Sequence, residues 1–422
     1  MAKRKKNTRR RRAAALLVAL LLIAAIICGY ILWSKGYLDG FIPSDSTSDE
    51  DSSGGSSDST SDEDSSGGSS DSTSNEDSSG GSSDSASDED SSGGTDIVTD
   101  ELSIHFLMLG NKYSGDCTLI KAGDTEILID AGSRASSAET IAEYVSEYCE
   151  DGVLEYVIAT HADQDHISGF VGTTKIPGIF DVFECETIID FPRTNKDTKV
   201  YHDYVEKRDA EVESGAVHYT ALECWNETDG AKRSYEIADG ITMNILYNVF
   251  YEEKSSDENN YSVCLLFTQG ENHYLFTGDL EEKGEEALVE NNDLPQCKLF
   301  KAGHHGSPTS STEALLSVIR PEIVVVSCCC GNETEYPFSS MDVVFPSQAF
   351  VDRVAPYTDK IYVPTVYSET AEGGFEAMNG NVVVSSDGGE VNVSCSNNDI
   401  LFKDTEWFKK YRTWPENGVG AA

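Results

Sequence analysis

Thr160-His161-Ala162-Asp163-Gln164-Asp165-His166-Ile167-Ser168-Gly169 packs two imidazoles and two carboxylates into six residues, directly after the apolar run Tyr156-Val157-Ile158-Ala159. Four such groups at the end of a buried strand are costly to dehydrate unless a cation compensates them. The chain has only 8 His in 422 residues, and two of them stand here. A solvated polar loop is the plain alternative, but ligand types at this spacing point to a metal site.

Short apolar runs surround it. Ser103 to Leu109, Cys117 to Lys121 and Glu126 to Asp130 are separated by Gly/Asn/Asp turns and read as antiparallel strands. Ser136 with Glu139 has the form of a capping box, and Ile141, Val145, Tyr148 and Cys149 then recur at helical spacing. Val153 to Thr160 is the strand that delivers the His/Asp cluster. The second half repeats the plan: Val263 to Thr268 and His273 to Thr277 form a hairpin, a charged helix follows, and Cys297 to Lys301 leads to His304 and His305 before a helix over Ser311 to Arg320. Two such halves, with ligands at strand ends, predict an α/β fold built as a four-layer αβ/βα sandwich with the site in the cleft between them. Residues 172–235 read as an elaboration that shapes access, and His202 and His218 within it as surface or packing residues.

His161-x-Asp163-x-Asp165-His166 resembles the signature of the metallo-β-lactamase fold, with Asp163 where most members carry a second His. Glu126-Ile127-Leu128-Ile129-Asp130-Ala131-Gly132 is similar to that fold's first motif, Leu275-Phe276-Thr277-Gly278-Asp279 to the motif whose Asp bridges two metals, and Lys301-Ala302-Gly303-His304-His305-Gly306-Ser307 to its last His motif. More narrowly, residues 102 to 414 resemble the extracytoplasmic hydrolase domain of the ComEC competence DNA-uptake proteins. The third His motif is missing: Asn259-Asn260-Tyr261-Ser262-Val263 stands in its place, so Asn259 or Asn260 supplies at most an amide.

The resemblance implies two divalent ions, Zn²⁺ or Mn²⁺. His161 and Asp163 would serve one, Asp165 and His166 the other, with Asp279 between them and His304, or less favourably His305, completing the second. Asp163 in place of imidazole hardens the first site and moves its preference toward Mn²⁺. Asp165 and Asp130 are then the carboxylates on which catalysis depends, Asp130 by orienting ligands from behind. Asp116, Asn259, Asn260 and Ser307 are candidates to line the substrate cleft.

The N-terminus adds a location. Residues 3 to 12 hold eight Lys/Arg, and Ala13 to Trp33 is almost wholly apolar. A run of about 20 apolar residues spans a bilayer as one helix, and the basic flank places residues 1–12 in the cytoplasm. A cleaved signal peptide would carry a shorter apolar core and a small-x-small site, whereas this run ends Ile26-Ile27-Cys28-Gly29-Tyr30. Residues 44–95 are four copies of a Ser/Asp/Gly unit with 15 carboxylates and no aromatic residue, so they form no core and read as a disordered stalk. A flexible chain of that length spans about 40 Å. The expected arrangement is a single-pass anchor in the cell membrane carrying an extracellular domain over residues 96–422. Nothing in the sequence points to a protein partner.

That domain holds 58 acidic and 22 basic residues, a balance near −36. Such a field repels polyanions, which argues against a general nucleic-acid-binding surface. Lys196, Lys199, Lys207 and Arg208 are where a basic patch concealed by these totals would lie. Ten Cys follow the anchor without disulfide-framework spacing, and Cys328-Cys329-Cys330 ends an apolar strand as packing residues. Three functions fit: a metal-dependent phosphodiesterase or nuclease acting on nucleic acid or a smaller phosphate ester, a metallohydrolase of lactone or lactam bonds, and a non-catalytic binding domain with a degraded metal site.

Overall fold

The computed structural model describes residues 99–331, 341 and 344–421. The basic tail, the apolar run 13–33 and the repeat 44–95 lie outside the described residues. Among the described residues no helix is long and apolar enough to cross a membrane.

Two mixed sheets face each other. The first has β1 (Leu102–Phe106), β2 (Thr118–Ala122), β3 (Thr125–Ile129), β4 (Val153–Ile158), β5 (Glu184–Asp190) and β6 (Val217–Thr220). The second has β7 (Ser234–Ala238), β8 (Ile241–Ile245), β9 (Leu265–Gln269), β10 (Asn272–Phe276), β11 (Leu299–Lys301) and β12 (Ile323–Val325). Later strands complete them: β13 (Cys329–Cys330), β14 (Ile361–Tyr362), β15 (Thr365–Tyr367), β16 (Phe375–Ala377), β17 (Val382–Ser386) and β18 (Val391–Cys395). The orders are β18-β17-β1-β2-β3-β4-β5-β6 and β14-β12-β11-β10-β9-β8-β7, with a small β13-β15-β16 sheet beside them. In each large sheet an antiparallel part passes into a parallel one, at β3–β4 and at β10–β11.

Side-chain alternation explains the layering. Leu265, Phe267, Tyr274, Phe276 and Leu299 point into the core shared with the first sheet. Their neighbours Leu266, Leu275 and Phe300 point the other way, onto Leu288 of the helix Glu282–Asn291, Leu315 and Leu316 of Glu313–Ile319, and Phe350 of Gln348–Val354. Period-2 patterning on strands buried on both faces gives this split. Helices Ser137–Ser146, Gln164–Val171 and Lys199–Ser214 accompany the first sheet.

Two expectations change. Residues 172–235 are not an insertion outside the sheets: β5 and β6 extend the first sheet by two parallel strands, and β7 begins the second. Ser136 makes no side-chain cap. The buried Ser137 hydroxyl instead accepts from the amides of Ser133 and Arg134, closing the turn ahead of the helix.

Candidate metal centre

Asp130 follows β3, His161 to His166 follow β4, Asp279 follows β10 and His305 follows β11, so parallel strands deliver all four motifs to one edge. The two halves are tied there by the Val263 amide donating to the Thr160 carbonyl, 2.9 Å. Gly132 is required for the fit, because a Cβ there would stand 1.5 Å from the Asp165 carbonyl oxygen. Asp130, His304 and His305 all have left-handed φ, of 58°, 44° and 53°. Non-glycine residues held in that region are costly and concentrate at functional sites.

Each of three imidazoles is tied at Nδ1. His166 Nδ1 lies 2.8 Å from Asp130 Oδ2, His305 Nδ1 is 2.8 Å from the Ser327 carbonyl, and His161 Nδ1 is 3.1 Å from the Thr160 hydroxyl. Asp130 in turn accepts from the Thr160 amide and hydroxyl, both at 2.8 Å. A donor role at Nδ1 leaves the Nε2 lone pairs for a ligand. Those atoms converge on Asp279, whose Oδ2 is 3.1 Å from His166 Nε2 and 3.2 Å from His305 Nε2. The Nε2 atoms of His161 and His305 are buried and find no hydrogen-bond partner among the described residues. Asp165 joins from the open side, 38% exposed, with Oδ2 3.3 Å from His305 Nε2. Ligand-capable atoms of His161, His166 and Asp279 lie within 4.8 Å of one another, as do those of Asp165, His166 and His305. Buried, unpartnered imidazole nitrogens facing carboxylates are the donor set a divalent cation requires.

The remaining sequence candidates separate. His304, favoured over its neighbour in the sequence reading, turns away: its Nδ1 is 3.4 Å from Glu281 Oε1 and 3.4 Å from the Thr309 hydroxyl. His305 is the residue inside the cluster, because two successive left-handed residues rotate it inward. Asp163 sits at the rim, with Oδ2 3.5 Å from His161 Nε2 and the other oxygen ion-paired with Lys196. Asn260 bridges Ser255 and the Glu281 amide, and Asn259 reaches Glu281. Ser307 bonds the Thr309 hydroxyl, 2.8 Å. Asp116 lies inside, 3.6 Å from His305 Nδ1, and Lys301, a buried lysine not among the sequence candidates, pairs with it. Lys301 Nζ also lies 3.2 Å from the Gly278 carbonyl and 3.5 Å from Asp279 Oδ1. Its signal was available: in β11 it shares the inward face with Leu299, two residues before. Ser262, also missed, donates to the Asn259 carbonyl and accepts from the Asp279 amide.

Protonation follows the packing. Burial alone would lower the imidazoles, but with no cation between them Asp279 raises both His166 and His305 well above the ordinary range, with Asp130 adding to the first and Asp116 to the second; a bound ion would take the place of the Nε2 protons. Burial would raise Asp116, yet Lys301 and His305 hold it at about 2. Asp279 is likewise held well below the usual carboxylate range, against burial, by His166, His305 and Lys301. Burial drives the nearby Cys117 thiol well above its ordinary value, with Asp130 and Asp116 adding to the effect, so Cys117 stays a thiol and not a thiolate nucleophile.

Residues 110–179 and 257–330, the segments that carry all four motifs, match the metallo-beta-lactamase superfamily. Over those two segments the chain is similar to members of that superfamily. It is 28% identical over 248 residues to Recombination protein 2 of Haemophilus influenzae, covering 57% of this chain and 26% of that protein. It is 28% identical over 228 residues to Competence protein ComA of Neisseria gonorrhoeae (53% and 27%) and 26% identical over 189 residues to ComE operon protein 3 of Bacillus subtilis (44% and 21%). The chain therefore resembles the ComEC family of competence proteins and spans about a quarter of the length of these relatives.

Proposed function

We propose that this chain is a metal-dependent phosphodiesterase, held by residues 13–33 at the outer face of a membrane and set off from it by the acidic stalk. The observation that carries the reading is the convergence of three Nδ1-anchored imidazoles and Asp279 on one point, with two buried Nε2 atoms that face carboxylates and make no hydrogen bond. His161, His166 and Asp279 would hold one divalent ion, and Asp165 and His305 a second that shares Asp279. When bound, such ions lower the pKa of water and withdraw charge from an attacked phosphoryl or acyl centre.

The protein's own groups have distinct parts in this. Asp130 fixes the His166 ring, Ser327 fixes His305, and Lys301 balances Asp116 and one oxygen of Asp279. Asp165 is the ligand carboxylate open to solvent, so it is the one that meets an incoming substrate. A phosphodiester is favoured over a lactone or lactam by the carboxylate-rich, hard donor set, and by relatives named for competence and recombination.

The test uses the full chain, charged with Mn²⁺ or Zn²⁺ and freed of excess metal. At least one ion per chain is expected, with turnover of bis(p-nitrophenyl) phosphate that Asp165→Ala and chelator both abolish. Metal content below one ion per chain overturns the reading. Turnover of a lactone or lactam without any phosphodiester would move it to acyl chemistry.

A further inference from the structure

We infer that residues 111–115, with Arg134 and Tyr367, form a subsite for one nucleotide of a single-stranded nucleic acid, its base stacked on Tyr113 and its phosphates beside Lys112 and Arg134. The inference rests on the hydrolase reading for the place of the scissile bond, and on separate observations for the subsite itself.

The first observation is an aromatic-cationic arrangement. The Arg134 guanidinium lies 4.1 Å from the Tyr113 ring centre, and the Lys112 ammonium lies 5.7 Å from Tyr113 and 5.8 Å from Tyr367. Tyr113 remains 40% exposed in spite of both, one of the few large apolar side chains in the domain left open to this degree.

The second is where free positive charge remains. The cations among which a concealed basic patch would lie are neutralised: Lys196 by Asp163, Lys199 by Asp203, Lys207 by Asp181, and Arg208 by Asp190 and Asp209. Lys112 and Arg134 have no carboxylate partner among the described residues. In a domain of net charge near −36, two unpaired cations against one exposed ring form a local exception able to receive an anion.

The third is position and rigidity. Ser133 donates to Asn111 Oδ1 (2.8 Å), Asn111 donates to the Ser137 hydroxyl (2.9 Å), and the Tyr113 amide donates back to Asn111 Oδ1 (3.0 Å). The same two loops meet the candidate centre, through Gly132 N to the Asp116 carbonyl (2.7 Å) and Asp116 N to the Asp165 carbonyl (3.1 Å). A small pocket lined by Asn111, Tyr113, Gly115 and Cys328 lies beside them. Cys328 follows Ser327, whose carbonyl holds His305. The platform is thus prebuilt and continuous with the edge of the cluster.

Aromatic stacking accepts any base but needs its face uncovered, which a duplex does not offer; cations alongside take the phosphates. A small lactone or alkyl ester has no group that would use both.

The experiment measures binding of labelled decathymidylate to the full chain in the Asp165→Ala background with Mn²⁺, and kcat/KM on decathymidylate and on methyl p-nitrophenyl phosphate in the Asp165 parent. Tyr113→Ala should weaken oligonucleotide binding about tenfold, the size of one lost stacking contact. Tyr113→Trp should restore it, and an abasic strand should bind the unmodified platform no better than decathymidylate binds Tyr113→Ala. The loss should lie in KM, with turnover of the small ester unchanged. Equal binding with and without the Tyr113→Ala substitution, or of abasic and normal strands, overturns the subsite. Small-ester turnover without oligonucleotide binding removes the subsite and leaves the hydrolase; Tyr113-dependent binding without any hydrolysis does the reverse.

Discussion

Removing the Lys301 ammonium is the sharpest perturbation of this centre. Lys301 is buried, ion-paired with the equally buried Asp116, and 3.5 Å from Asp279 Oδ1. Burial opposes its charge, but Asp116 and Asp279 raise its pKa, so the ammonium persists. Lys301→Met would strand the Asp116 carboxylate away from water, with His305 Nδ1 at 3.6 Å the nearest remaining cationic group in its ion-pair set. Breaking one side of a buried pair costs about 3–5 kcal/mol. For a domain of roughly 320 residues that is a fall in Tm of about 5–8 °C. The measurement is thermal unfolding in chelator of the parent, Lys301→Met, and Lys301→Met with Asp116→Asn. The double variant should recover most of the loss, since it leaves no unpaired charge. Adding Mn²⁺ should raise the Tm of Lys301→Met more than that of the parent, because an ion then supplies the missing positive charge. A single variant that melts within about 1 °C of the parent in chelator would refute the assignment of Lys301 as the internal counter-charge.

Asp130→Asn keeps the hydrogen bond to Thr160 but weakens the hold on His166, so metal affinity by competition titration should fall about 10–100-fold; an unchanged affinity would remove Asp130 from the orienting role. His305→Ala should lower metal affinity further than that, while His304→Ala, whose ring bonds Glu281, should leave metal content intact, and the opposite ranking would reinstate His304 as the ligand. Outside the cluster, burial pushes His105 from 6.5 down to about 4, with its ring nitrogens 2.9 Å from the Tyr144 hydroxyl and 2.8 Å from that of Ser103. The unfolded chain therefore binds the extra proton first, so stability is complete above about pH 6.5 and is lost as pH falls toward 4. Between pH 7.5 and 5 that loss is about 2 kcal/mol, and urea melts of His105→Gln should show a pH slope shallower by that amount.

The fold was legible because its strands carry their own instructions. Leu265, Leu266 and Phe267 on β9, with Tyr274, Leu275 and Phe276 on β10, are apolar on both faces, which only a strand between two layers requires. The far end of the first sheet gave less. In β5, Glu184-Cys185-Glu186-Thr187 alternates charge with small residues before Ile188 and Ile189, and the helix Lys199–Ser214 is polar around most of its circumference with only Tyr204 buried. Neither has a dominant apolar pattern, so 172–235 read as an elaboration although it continues the sheet.

At the centre, residue types were legible and their directions were not. His304 and His305 are chemically identical neighbours, and only a backbone turned left-handed at both positions decides which ring enters the cluster. Asp163 read as a ligand of the first metal, and the structure places it at the N-cap of the helix Gln164–Val171. The structure shows the cap position without a side-chain cap bond, one oxygen paired with Lys196, and the other 3.5 Å from His161 Nε2. Lys196 lies more than thirty residues away, in a stretch with no periodicity to announce its position. Burial would raise the Asp163 carboxyl, but His161 and Lys196 hold it well below the ordinary range. An ion at that edge must therefore compete with a resident ammonium for the carboxylate, whereas at Asp279 Oδ2 it meets converging imidazoles. On the two-ion reading, that asymmetry predicts weaker metal binding at the His161 edge, for a reason the absent third histidine alone does not supply.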